Sequence, residues 1–185
     1  MTTPVTIDVV SDVICPWCFL GKRRLDKAIA MVPEASVIIR WHPFFLDPTV
    51  PAEGMDRQSY LLNKFGPERV KTMHDPLIAA GNDDDVPYKF DRITRTPNTL
   101  NAHRVIRWAA AEGKQQQMVE ALFMAYWSEG RDIGNTAILA SVAKTCGMRE
   151  SRVARDLATD KDKLDIFTEV RQAQPLRRAF AADRR

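Results

Sequence analysis

Two cysteines three residues apart, Cys15 and Cys18, constrain the fold of this 185-residue chain more than any other feature. They directly follow an apolar, β-branched stretch over 4–12 that predicts a buried strand. After them, apolar residues at helical spacing predict an amphipathic helix ending near Val32-Pro33, and a β-branched stretch over 37–41 predicts a second strand. A strand, a helix and a strand in succession form a βαβ unit with a right-handed crossover. We therefore predict an α/β fold.

The place of the cysteine pair at the start of the first helix favours thiol–disulfide exchange. Free N–H groups and the helix dipole stabilise a negative sulfur there, which lowers the pKa of Cys15 below the free value of about 8.5. We predict that Cys15 is the nucleophile and that Cys18, one turn further on, resolves the mixed disulfide. Pro16 and Trp17 between them are uncharged and are predicted to contact substrate, with Trp17 giving an apolar surface.

A zinc site is the alternative for two cysteines at this spacing, completed by Cys146 and one histidine. The candidate histidines are His42, His74 and His103. Zinc sites usually bring their other ligands as a second tight cluster, and the sequence has none. Redox chemistry is therefore favoured, and neither a metal nor a resident cofactor is predicted. Cys146 shares a helical face with Leu139, which indicates a buried small residue without a redox role.

Charge and hydropathy exclude several classes of protein. The net charge of +3 arises in the last fifteen residues, which carry +4, so the remainder carries −1 and gives no reason to predict nucleic-acid binding. No stretch approaches the roughly 20 apolar residues that a membrane span needs. The first ten residues also lack the pattern of a secretion signal. We expect a cytoplasmic protein without a membrane partner.

The middle of the chain predicts a large helical insertion. Prolines at 43, 48 and 51 with Gly54 mark a boundary, after which the alternation of strands and helices stops. We predict an N-terminal βαβ half over 1–52, a helical domain over 53–160, and a returning helix with an atypical basic tail over 161–185. Helices are predicted near 56–65, 67–80, 98–112, 115–128, 136–146, 149–158 and 160–173. Residues 81–85 are predicted as a turn, and Asn98 as a helix N-cap.

These features resemble a known family. The matching stretches are Ser11 to Cys18, Trp41-His42-Pro43-Phe44, Pro97-Asn98-Thr99, Ala102-His103-Arg104 and Glu129 to Ile133. Together they are similar to DsbA-like thioredoxin-fold proteins of the FrnE type, which are relatives of 2-hydroxychromene-2-carboxylate isomerase and kappa-class glutathione transferase. The resemblance implies a thioredoxin-like fold with an α-helical insertion and dithiol oxidoreductase or isomerase activity on protein or small-molecule thiols and disulfides.

The same resemblance implies roles for three residues of the insertion. Asn98, His103 and Arg104 match a stretch near the active-site cleft, which makes them candidate substrate contacts or support for the Cys15 thiolate. The alternative is structural: a cap, a partly exposed helical residue and a surface charge. The isomerase and transferase relatives use a serine with bound glutathione. Two cysteines favour the dithiol branch here, with glutathione as a candidate co-substrate.

The second half of a thioredoxin domain has no counterpart in the sequence. The family closes its site with a cis-proline loop, two strands and a helix, whereas no β-branched run follows Pro175. A shift of reading frame near residue 174, or a partner chain that completes the sheet, would account for this. The unpaired strand edge predicts a homodimer. A glutathione-dependent isomerase or transferase and an inactive truncated homologue stay open as alternative functions.

Overall fold

The computed structural model describes the backbone of residues 4–182 and the side chains of residues 4–173. It begins with strand β1 (Val5–Ser11), helix α1 (Pro16–Ala30) and strand β2 (Val37–Pro43). The two strands are parallel and in register from Val5 opposite Val37 to Ser11 opposite Pro43. This confirms the predicted βαβ unit, with the cysteine pair at the start of α1, just after β1.

The predicted helical insertion is also confirmed, with differences in detail. Its helices, with the returning helix, are α2 (Arg57–Phe65), α3 (Pro67–Thr72), α4 (Asp75–Asp83), α5 (Leu100–Ala111), α6 (Gln115–Trp127), α7 (Thr136–Thr145), α8 (Glu150–Leu157) and α9 (Lys163–Ala182). Two short strands, β3 (Met55–Asp56) and β4 (Arg95–Thr96), pair antiparallel, and a 3-10 turn covers Phe90–Arg92. These three short elements were not predicted from the sequence.

Two boundaries in the insertion were predicted wrongly. The single helix expected over 67–80 is two helices, because Pro76 restricts the residue before it and cannot donate a backbone hydrogen bond. Helix α4 then continues to Asp83, so Gly81 is helical and does not begin a turn. Tight packing explains this glycine, because a Cβ atom at residue 81 would lie 2.8 Å from the ring of Tyr88.

The two edges of the main sheet differ. Along the outer edge of β2, Gln115 accepts a hydrogen bond from the Trp41 N–H at 3.1 Å and donates one to the Trp41 carbonyl at 3.0 Å. Gln116 donates to the Ile39 carbonyl at 3.2 Å. These amides occupy the backbone groups that an edge strand otherwise exposes. Within residues 4–182, β1 pairs only with β2, so its other edge carries no strand, as predicted.

One apolar core joins the βαβ unit to the insertion. It combines Phe19 and Leu20 of α1 and Trp41 of β2 with buried side chains of α5, α6, α7 and α8. Phe123, Tyr126 and Trp127 of α6 are almost fully buried and form part of a packed helix interface. The core crosses the boundary predicted near residue 52, and the three-part domain division stays a prediction.

Among residues 4–182, none of the helices combines the length and apolar character that spanning a bilayer requires. The arginine side chains of the predicted basic tail, at 177, 178, 184 and 185, lie outside the described residues.

Candidate active site

The dithiol lies at the N-terminus of α1, with Cys15 as the residue that precedes the first helical turn. Its backbone is extended, with φ −92° and ψ 111°, and Pro16 occupies the first turn. The Cys15 N–H donates to the Asp12 carbonyl at 3.0 Å, and the Cys18 N–H donates to the Cys15 carbonyl at 3.1 Å. Both thiols are free and half-buried. This is the geometry in which a helix start stabilises a thiolate.

The two sulfurs ionise as a pair. The Cys15 S–H donates a hydrogen bond to Cys18, which lowers the pKa of Cys18 to about 7, with further help from the Ser11 hydroxyl and the Asp12 backbone. The same donation raises the pKa of Cys15. The first proton therefore leaves the pair near neutral pH, and the second is held much more tightly. The lowered pKa in the dithiol is therefore that of Cys18 and not, as the sequence predicted, that of Cys15. Transfer of the shared proton moves the charge from Cys18 to Cys15.

A buried carboxylate, Asp12, lies behind the dithiol. It is 1 % exposed, and its Oδ2 accepts hydrogen bonds from the Leu46 N–H at 2.7 Å and the Thr99 hydroxyl at 3.2 Å. Oδ1 accepts no hydrogen bond within the described part of the chain. The negative charge of Asp12 contributes to raising the pKa of both thiols. Asp12 was not predicted as a site residue, although it falls inside the motif that carried the resemblance.

His103 is buried against this carboxylate. Its Nε2 lies 3.0 Å from the Phe44 carbonyl oxygen and 3.4 Å from Asp12 Oδ1, and the residue is 4 % exposed. Because a carbonyl can only accept, Nε2 carries the hydrogen. Because only 4 % of His103 is exposed, the alternative of a partly exposed helical residue is wrong. The structure connects His103 to the dithiol through Asp12, while a contact with substrate stays a prediction.

Asn98 and Arg104 are fixed by local contacts. Asn98 Oδ1 accepts from the Leu100 N–H at 3.0 Å and its amide donates to the Val50 carbonyl at 2.8 Å. Helix α5 begins one residue later than predicted, with Thr99 as the N-cap, because Asn98 makes a turn within the preceding loop.

Arg104 is fully buried and is not the surface charge considered as one alternative. Its donors bond the Asn101 side chain and the carbonyls of Asp156 and Leu157, at the end of α8, and of Thr159 and Lys161, which follow it. These contacts explain a structural role and give no support to the predicted substrate contact. Of the residues between the cysteines, Trp17 is 54 % exposed and Pro16 half-buried, which leaves the indole free to meet a substrate.

Comparison with known families finds a DSBA-like thioredoxin domain over residues 6–177. The chain belongs to this DsbA-like family. The protein YwbO of Bacillus subtilis is 27% identical over 177 residues, which cover 95% of this chain and 80% of the relative. A probable DsbA oxidoreductase from Streptomyces coelicolor has 25% identity and a TM-score of 0.83, covering 92% of this chain and 75% of that one. The cytosolic disulfide reductase DsbM from Pseudomonas aeruginosa has 19% identity and a TM-score of 0.68, covering 97% and 81%. The family resemblance is thus confirmed.

Two residues of this DsbA-like insertion reach the dithiol loop without having been predicted to do so. The Tyr88 hydroxyl donates to the Pro16 carbonyl at 2.6 Å, and the Trp127 indole N–H donates to the Val13 carbonyl at 3.0 Å. Their partners lie 72 and 114 residues away in sequence, so no local pattern marks them. With Thr99 on Asp12, they attach the loop between β1 and α1 to the helical insertion.

The alternative zinc site is not assembled. Within the described side chains, no three His, Cys, Asp or Glu residues are grouped to hold a metal ion. Cys146 follows the last turn of α7 and is 9 % exposed, which confirms the prediction of a buried residue. Burial also raises the pKa of its thiol, which disfavours the reactive thiolate.

Proposed function

We propose that this DsbA-like protein is a thiol–disulfide oxidoreductase or isomerase acting through Cys15 and Cys18. The observation that carries the proposal is the pair of free thiols, in hydrogen-bonding contact at the start of α1, with a first ionisation near neutral pH. Exchange requires a thiolate for attack and a second thiol for resolution, and this pair supplies both. Membership of the DsbA-like family supports the proposal.

The steps balance without a metal or cofactor. The Cys15 thiolate attacks one sulfur of a substrate disulfide, forms a mixed disulfide and releases the other sulfur as a thiolate. Cys18 then loses its proton and attacks the Cys15 sulfur. The internal disulfide forms, the second substrate thiolate leaves, and two electrons pass from the protein to the substrate. The reverse sequence oxidises a substrate dithiol, and the two directions combined isomerise disulfides.

Titration in glutathione buffers tests this function. We expect the dithiol to interconvert reversibly with one two-electron potential between about −270 and −120 mV, the span of related dithiol proteins. Alkylation and mass spectrometry would measure the oxidised fraction at each ratio, with circular dichroism showing that both forms stay folded. Thiols that never equilibrate with the buffer would instead support the inactive truncated homologue.

A glutathione-dependent isomerase or transferase is the second candidate. DsbM, which shares the fold, has been solved with GSH, in a structure with a TM-score of 0.64 and 17% identity to this chain. Glutathione is accordingly our proposed small-molecule substrate, besides protein disulfides. We also propose a cytoplasmic location, which the name of cytosolic DsbM supports and which cell fractionation would test.

The open edge of β1 supports a further proposal, that two copies pair through it. The single charge on β1 is Asp8, and Arg40 neutralises it through two hydrogen bonds of 2.8 Å, so two antiparallel copies of β1 would meet without net repulsion. Sedimentation velocity over a concentration series should then show a reversible monomer–dimer equilibrium. A monomer at every concentration would contradict this pairing without affecting the redox proposal.

A further inference from the structure

Tyr88 contacts the dithiol motif itself. Its hydroxyl donates a hydrogen bond of 2.6 Å to the carbonyl oxygen of Pro16, which lies between the two cysteines. Tyr88 belongs to the loop after α4, so the contact joins the helical insertion to the first turn of α1. Nothing in the exchange steps described above accounts for it.

The insertion holds the ring of Tyr88 in place on several sides. The ring stacks on Phe90 with a centroid distance of 5.0 Å and meets Phe19 and Trp127 edge-on at 5.9 and 6.0 Å. Gly81 also packs closely against the ring, because a Cβ atom at this residue would come within 2.8 Å of it. A hydroxyl fixed this firmly loses little entropy when it forms its hydrogen bond.

The Tyr88 phenol remains a hydrogen-bond donor at neutral pH. Burial raises the pKa of Tyr88, and the negative charges of Cys15 and Cys18 raise it further. The hydrogen bond to the Pro16 carbonyl places the phenol at the turn that carries both sulfurs.

The carbonyl of Pro16 and the N–H of Trp17 belong to one peptide group. A hydrogen bond accepted by the carbonyl polarises the group and makes its N–H a stronger donor. Trp17 is the second residue of α1. Among the described residues no side chain caps this helix start by a hydrogen bond, so the Trp17 N–H acts on a negative charge there through its dipole. The side chain at that start is Cys15.

We propose that Tyr88 is a positioning residue of the dithiol, which favours the thiolate of Cys15 by polarising the peptide between Pro16 and Trp17. This inference rests on the proposed function and deepens it. The other groups that act on the Cys15 charge are Cys18 on α1 and Asp12 after β1, with His103 of α5 acting through Asp12. Tyr88 thus acts through the peptide between Pro16 and Trp17, and its effect on the Cys15 charge is opposite to that of the Asp12 carboxylate.

The test measures the rate at which Cys15 reacts with iodoacetamide as a function of pH. A Cys18→Ala background leaves Cys15 as the one thiol of the pair that can react. Adding Tyr88→Phe keeps the ring and removes the hydroxyl. We expect a higher pH midpoint and a rate at pH 7 about two- to five-fold lower, because a smaller fraction of Cys15 is ionised. The limiting rate at high pH should stay unchanged, which a loss of structure would not allow.

Two further variants complete the test. Tyr60→Phe removes a hydroxyl that bonds Asp47 and Lys64 and neither cysteine, and it should leave the midpoint unchanged. Gly81→Ala displaces the Tyr88 ring and should raise the midpoint as Tyr88→Phe does. An unchanged midpoint in Tyr88→Phe, with reactive Cys15 in the background protein, overturns the role of Tyr88 alone. If Cys15 is inert in the background protein too, the proposed function fails with it.

Discussion

Replacing Cys18 by serine is expected to halt exchange at the mixed disulfide. Cys15 can still attack a substrate disulfide, but no second sulfur is present one helical turn away to release the product. We expect the covalent adduct to persist at least about 100-fold longer than in the wild-type protein, because an intramolecular nucleophile is lost. Mass spectrometry after incubation with oxidised glutathione or a peptide disulfide would measure the adduct, which dithiothreitol should release.

The same variant separates the two proposed functions. A glutathione-dependent isomerase or transferase would keep its activity in Cys18→Ser and would need added glutathione. Cys15→Ser should form no adduct at all, and Cys146→Ser, which alters the buried thiol on α7, should behave as wild type. A Cys18→Ser protein that turns over a disulfide substrate as fast as wild type would exclude the dithiol mechanism.

The parts of the fold that the sequence predicted are those determined by local patterns. The βαβ unit followed from two β-branched stretches around an amphipathic helix, and the cysteine pair followed from its place between them. Residue 76 carried a signal that could have been used, since a proline nine residues after Pro67 marks the break between α3 and α4. Strands of two residues, such as β3 and β4, have no periodicity to detect.

The surroundings of the dithiol could not be predicted, because distant segments build them. Thr99 approaches Asp12 across 87 residues of sequence, and Trp127 approaches Val13 across 114. A buried histidine and a surface histidine look alike in a helical pattern, so only the fold distinguishes His103 from a solvated residue. Whether such a residue is buried depends on donors and acceptors from distant segments that meet in the fold. A single stretch of sequence does not contain that information.

These long-range contacts bear on how the dithiol stays organised. Its loop receives hydrogen bonds from Tyr88, Thr99 and Trp127, all supplied by the helical insertion. The described part of the chain therefore holds its redox motif through the insertion and its shared core. This arrangement supports our proposal of a dithiol oxidoreductase or isomerase over the alternative of an inactive truncated homologue.

Among the variants proposed here, Arg104→Met should cause the largest loss of stability, and the free energy of unfolding should fall by about 3–5 kcal/mol. The guanidinium is fully buried, and it donates hydrogen bonds to five acceptors at 2.7 to 3.4 Å. Four of these are backbone carbonyls between Asp156 and Lys161, where α8 ends and the chain turns into α9. Methionine fills a similar volume but removes the donor from the carbonyls of Leu157, Thr159 and Lys161, while the Asp156 carbonyl still accepts from Thr159. Each unpaired buried acceptor costs about 1–3 kcal/mol.

Arg107→Met is the matched control, one helical turn further along α5. Arg107 pairs with Asp165 and Glu169 while 39 % of its side chain is exposed, and such pairs contribute at most about 1 kcal/mol. Urea unfolding followed by circular dichroism would compare the two variants, and Arg104→Lys should fall between them because it keeps the charge with fewer donors. Equal midpoints for both methionine variants would contradict the structural role. An Arg104→Met protein that is stable but exchanges disulfides poorly would restore the substrate contact that the family resemblance implied.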